Sequence, residues 1–159
     1  MFSNDRLKSA SIVFLLGSSF ALVIAYVLEY FFHMLPCKLC IYERIVYCMA
    51  GVLSAFCLMK SNKVLICLIF FIYLIGAIIS FYHMGLEFHW FHDVLGCAEQ
   101  IKGNPTVEEL KNNLLNPNAL PSCDKPRYLL GLSLAAWNLI YTLLCMLLAC
   151  TQLIIKKRN

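Results

Sequence analysis

Four long apolar stretches separated by short charged segments dominate the chain. A membrane-spanning helix needs about 20 apolar residues, because a hydrocarbon layer of ~30 Å is crossed at ~1.5 Å per residue. Residues 9–28 form an uncharged run of 20, residues 64–86 a run of 23, and residues 128–155 a run of 28, enough to cross with tilt. Residues 45–59 give only 15. That run becomes long enough if its helix starts near Leu39 or Cys40, with Glu43 and Arg44 in the first turns. The pattern predicts spans at roughly 10–32, 40–59, 64–84 and 128–154: an all-α membrane protein, a four-helix bundle forming one domain over 1–159. Arg6 and Lys8 precede the first run as they would in a signal peptide. The run is longer than a signal peptide's apolar region and no convincing cleavage site follows, so it reads as a span.

Composition agrees. The chain is 61% apolar and 14% charged, with a mean hydropathy of +0.75. A soluble domain is nearer half apolar and about a quarter charged, so an ordinary water-soluble globule is excluded. A net charge of +4, dispersed along the chain, leaves no nucleic-acid footprint. Four spans put both termini on one side. Arg6, Lys8, Lys60, Lys63, Lys156, Lys157 and Arg158 crowd that side in short segments, which the positive-inside rule assigns to the cytoplasm. The opposite face then carries a short loop near 33–39 and a long one near 85–127. Within the long loop, Thr106 and Glu109 fit a capping box, followed by Val107, Leu110 and Leu114 at helical spacing. This predicts a short helix, either capping the loop or lying on the membrane surface.

Topology sorts the nine cysteines. Cys48, Cys57, Cys67, Cys145 and Cys150 fall inside spans and read as small polarizable packing residues. Cys37, Cys40, Cys97 and Cys123 all fall on the outer face, where an oxidising compartment allows disulfides. Cys37 and Cys40 form a C-x-x-C at the start of the second span. Cys40 is expected to be a reactive thiolate, favoured by the helix N-terminus and by Arg44 four residues on. Arg44 reads either as an interface cation paired with Glu43 or Glu29, or as the charge that stabilises the Cys40 thiolate beside a flat lipophilic acceptor such as a quinone. Two other uses stay open. His33, His83, His89 and His92 lie on the same face, so the cysteines could hold a metal, although one C-x-x-C is an incomplete zinc signature. The outer cysteines could also simply brace the loops as cystines.

The segment Pro36-Cys37-Lys38-Leu39-Cys40-Ile41-Tyr42-Glu43-Arg44 closely resembles the signature of the DsbB family, bacterial inner-membrane oxidases that generate disulfides. Tyr82-His83-Met84-Gly85-Leu86-Glu87 is similar to a second family element. So are Pro121-Ser122-Cys123-Asp124 and the run from Gly131 to Asn138. The resemblance implies a membrane disulfide oxidase with its active cysteines on the periplasmic face. It would reoxidise a periplasmic DsbA-like thioredoxin-fold protein and pass two electrons to ubiquinone or menaquinone, with no metal expected. On that pattern the partner's thiolate attacks Cys97 and releases Cys123. Cys123 then attacks Cys37 and frees Cys40, which donates to the quinone. Arg44 and Cys40 would form the quinone site, and His83 would either tune that site or only pack beside it. His89 and His92 match nothing in the family pattern and read as interfacial residues or as part of a partner-docking surface, while Tyr82, Trp90 and Trp137 read as packing or interface anchors. Vitamin K epoxide reductase-type enzymes share this chemistry but place their C-x-x-C near the last span, which does not fit Cys37 and Cys40.

Overall fold

The structure, a computed structural model, describes residues 4–97 and 121–154. Four helices account for most of it: α1 (Asn4–Tyr30), α2 (Lys38–Met59), α3 (Lys63–Glu87) and α4 (Leu134–Ile154). Each is long and apolar enough to cross a membrane, as the hydropathy pattern predicts. α1 starts at Asn4 rather than residue 10, and α3 continues past residue 84 to Glu87. The expected short helix around Thr106–Glu109 lies outside the described residues, as do Lys156, Lys157 and Arg158.

The start of the fourth span needs correction. Residues 128–133 form a small hairpin of β1 (Tyr128–Leu129) and β2 (Leu132–Ser133), with Leu129 paired to Leu132. Leu130 and Gly131 connect the strands at φ of 52° and 87°, the positive values that a two-residue type I′ turn demands. An apolar run alone does not separate such a hairpin from a helical turn. The Trp137 indole N–H donates to the Leu129 carbonyl at 2.8 Å and ties the hairpin to α4. Ser133 Oγ accepts the Ala136 N–H at 3.1 Å, capping the helix where it begins.

The helices pack as a ring in which α1 touches α2, α2 touches α3, α3 touches α4, and α4 returns to α1. Residues 60–62 join α2 to α3, with Asn62 Oδ1 accepting the Val64 N–H. Apolar side chains such as Leu16, Phe20, Phe56, Phe71 and Leu147 cover the outside, the surface expected where lipid is the solvent. In lipid each polar group must find its partner within the protein. Ser11, Ser54 and Ser80 accordingly donate to the carbonyls four residues back. Inside, Phe14 packs on Phe70 and Tyr73, and Ala10, Ala50 and Ala149 are fully buried, which lets neighbouring backbones approach. One polar network crosses three helices. Tyr47 donates to Asn138 Oδ1 at 2.6 Å, and Asn138 Nδ2 donates to Ser80 Oγ at 2.8 Å. It lies one to three helical turns in from the helix ends at Cys37, Glu87 and Leu134.

Candidate functional site

Pro36 ends the α1–α2 connection, and Cys37 follows as the N-cap of α2 with an extended backbone. Its sulfur accepts the Cys40 backbone N–H at 3.3 Å. The two sulfurs of Cys37 and Cys40 lie 2.8 Å apart, because an N-cap and the third helical residue face each other across one turn. The hydrogen bond from Cys40 holds the Cys37 thiol below its usual range, assisted by the backbone N–H groups and opposed by burial. The expectation that the helix N-terminus serves Cys40 is therefore corrected. Its free amides point at the cap, so Cys37 receives them. Arg44 likewise turns away toward α1. It pairs with Glu29, donates to the Ala25 carbonyl at 3.2 Å, and lies over the Tyr26 ring at 5.1 Å. Of the two carboxylates offered by the sequence, Glu29 is the partner.

Cys97 and Cys123 are joined by a disulfide with a Cα separation of 5.4 Å, an ordinary spacing for a bridge. The Cys123 N–H donates to the Cys97 carbonyl at 3.0 Å and aligns the two loop segments. This bridge packs with Cys37, Leu39 and Leu86 in one buried cluster, with Cys40 at its edge. The fold thus brings together all four cysteines singled out from sequence. The chain is led there by a reversal at the end of α3. Trp90 and Phe91 N–H groups reach back to the Gly85 carbonyl, and Phe91 stacks on Tyr82. Tyr82 OH accepts the Val94 N–H at 3.0 Å and donates to the His92 carbonyl at 3.4 Å. The Lys38 ammonium closes the join by donating to the Gly96 carbonyl at 3.1 Å. The side chains of His33, His89 and His92 are exposed.

His83 is the histidine that the fold delivers to the cysteines. Its Nε2 lies 3.6 Å from Cys37 Sγ, and its Nδ1 lies 3.4 Å from Glu43 Oε1. Glu87, one helical turn along α3, places Oε1 4.0 Å from Nε2. Its other oxygen, Oε2, is buried with no hydrogen-bond partner among the described residues. The sequence reading missed Glu43 and Glu87 as site residues. The available signal was spacing, since His83 and Glu87 are i and i+4 on one face.

Beside this cluster a cavity of about 390 Å³ opens between the helices, a size within the usual range for small-molecule sites. Apolar side chains including Phe20, Ile24, Leu28 and Trp137 form much of its wall, while Cys40, Arg44, His83 and Glu87 supply polar atoms.

A family model described as "Disulfide bond formation protein DsbB" matches residues 7–152, nearly the whole chain. Among curated proteins, "Uncharacterized protein RP370" of Rickettsia prowazekii (strain Madrid E) is 32% identical over 150 residues, covering 91% of this chain and 86% of that protein. No solved structure matches the chain.

Proposed function

The chain belongs to the DsbB family of disulfide bond formation proteins, and from that premise we propose that it is a protein-disulfide:quinone oxidoreductase of the bacterial inner membrane. In this reading it oxidises a periplasmic DsbA-like dithiol protein. Its cysteines then lie on the periplasmic side and both termini in the cytoplasm, as the crowding of Lys and Arg beside the membrane favours. The observation that carries the proposal is the packing of the Cys97–Cys123 disulfide on Cys37, next to an apolar cavity lined by Cys40.

Each exchange forms one sulfur–sulfur bond and breaks one. The partner's thiolate attacks Cys97 Sγ, forming a mixed disulfide and expelling Cys123 as a thiolate. With Cys37 and Cys40 in their disulfide form, Cys123 attacks Cys37 and Cys40 leaves as a thiolate. Attack along the line of sulfurs is the geometry that such exchange requires, and the shared cluster keeps Cys123 and Cys37 within one packing unit. Both cysteines are buried, Cys97 at 7% exposure and Cys123 at 1%, a difference that favours first attack at Cys97.

The cavity suits a quinone ring: much of its wall is apolar, and Arg44 and His83 line it as side chains that could donate to ring oxygens. Return of Cys37 and Cys40 to their disulfide would release two electrons and two protons, the chemistry that a quinone held there would take up. The chain's own contribution is position and charge. Arg44 keeps a cation at the cavity wall while Glu29 and Tyr26 fix its orientation, and the helix N-terminus steadies negative charge on Cys37. The decisive experiment is trapping with a DsbA-like protein that lacks its resolving cysteine. A mixed disulfide that maps to Cys97 and vanishes in Cys97→Ser is expected. Trapping at another cysteine, or none in the wild-type chain, overturns the assignment.

A further inference from the structure

One C-x-x-C is too few ligands for a metal, yet the fold adds what is missing. Cys37 Sγ, Cys40 Sγ and a ring nitrogen of His83 all lie within 4.8 Å of one another. A tetrahedral zinc-type centre places sulfur and nitrogen ligands about 3.6 Å apart and two sulfurs about 3.8 Å apart. The observed 3.6 Å from Cys37 Sγ to His83 Nε2 already fits. The 2.8 Å between the sulfurs must open by about 1 Å, within reach of a side-chain rotation.

Two further observations point to a cation. Glu43 sits on His83 Nδ1, so the ring donates there and turns its Nε2 lone pair toward the sulfurs. A carboxylate behind a histidine is the usual outer partner at a metal site. Glu87 stands at the edge of that three-residue group, where a side-chain rotation would bring it in as a fourth donor: its side chain is 4% exposed, Oε1 is 4.0 Å from that same Nε2, and Oε2 has no partner among the described residues.

We propose that the reduced Cys37–Cys40 pair, with His83 and Glu87, forms a site for a divalent zinc-type cation and that occupancy locks the pair in its dithiolate form. Binding displaces the two thiol protons and transfers no electrons. A disulfide offers no thiolate ligand, so the site exists only after reduction, and the metal and the oxidant compete for the same two sulfurs. The inference rests on the donor geometry and holds whatever partner or quinone the chain uses.

The probe is cobalt(II), whose thiolate charge-transfer and tetrahedral visible bands report ligand type directly. The full chain carrying Cys97→Ser and Cys123→Ser is reduced in detergent and titrated without partner or quinone. One equivalent should bind with thiolate bands, which zinc then displaces. The bands should vanish on oxidation of the pair and in Cys40→Ser. Glu43→Gln, which removes the charge of the outer partner of His83, should weaken binding about 10–100-fold. Absence of thiolate bands, their persistence in Cys40→Ser, or unchanged affinity in both Glu43→Gln and His83→Ala overturns the proposal. None of these outcomes bears on whether Cys97 is trapped by a DsbA-like protein.

Discussion

Gly85→Ala tests how the chain delivers Cys97 to Cys37. A Cβ at position 85 would lie 2.1 and 2.2 Å from two ring carbons of Phe91, far inside contact distance. The ring can escape only by leaving its stack with Tyr82 and its edge contact with Phe81, whose centroids lie 6.0 and 5.8 Å away. Aromatic pairs of this kind contribute about 0.5–1.5 kcal/mol each. Giving up both costs about 1–3 kcal/mol, the same range found when a packed site is overfilled. At 1.4 kcal/mol per tenfold, the reversal should open about 5- to 150-fold more often. Hydrogen exchange reads this at the Trp90 and Phe91 amides, which bond to the Gly85 carbonyl, and at Val94, which bonds to Tyr82. Protection at these amides should fall by that factor while amides in the middle of α3 keep theirs. The same substitution in a Phe91→Ala background should cost little, because the clash is gone. Equal loss of protection in both backgrounds would refute the steric reasoning.

Two further outcomes follow from the site and the core. Asn138→Leu removes the bonds to Tyr47 and Ser80 that join α4 to α2 and α3, and should destabilise the bundle by about 1–3 kcal/mol in a reversible detergent unfolding assay; an unchanged midpoint would mean the network adds nothing. The Cys37 thiol is lowered chiefly by the hydrogen bond from Cys40. In the reduced protein its thiolate should therefore persist below the usual thiol range, a contribution to folded stability that is fully present above that range and lost as the pH falls through the lowered value. Ultraviolet titration of the thiolate should show this step in wild type, absent in Cys37→Ala and moved to higher pH in Cys40→Ala. A titration that Cys40→Ala leaves in place would contradict the assignment.

The four helices were legible because burial in lipid leaves a one-dimensional trace: about 20 apolar residues in a row, whatever each one touches. The closeness of Cys37 and Cys40 was legible for a similar reason, since the two share one helical turn and their relation is local. Cys97 and Cys123 could be sorted by topology and matched by resemblance, but their packing on Cys37 depends on the reversal at Gly85 and the hairpin at Leu130-Gly131. Each of these turns is decided by a few backbone angles inside an apolar stretch. Hydrophobic pattern does not register them, which is why the fourth span was read from residue 128 when its helix begins at Leu134.

Charge pairing was the least legible layer. Arg44 had two plausible carboxylates, and only the helix ring shows that Glu29 faces it while Glu43 faces His83. The chain's sequence thus determines its solvent, its spans and the residues able to do redox chemistry, because those depend on composition and local spacing. Which histidine, which carboxylate and which sulfur meet is settled by packing between helices far apart in the chain. Their rotation and register emerge from the sum of many small contacts and leave no local mark.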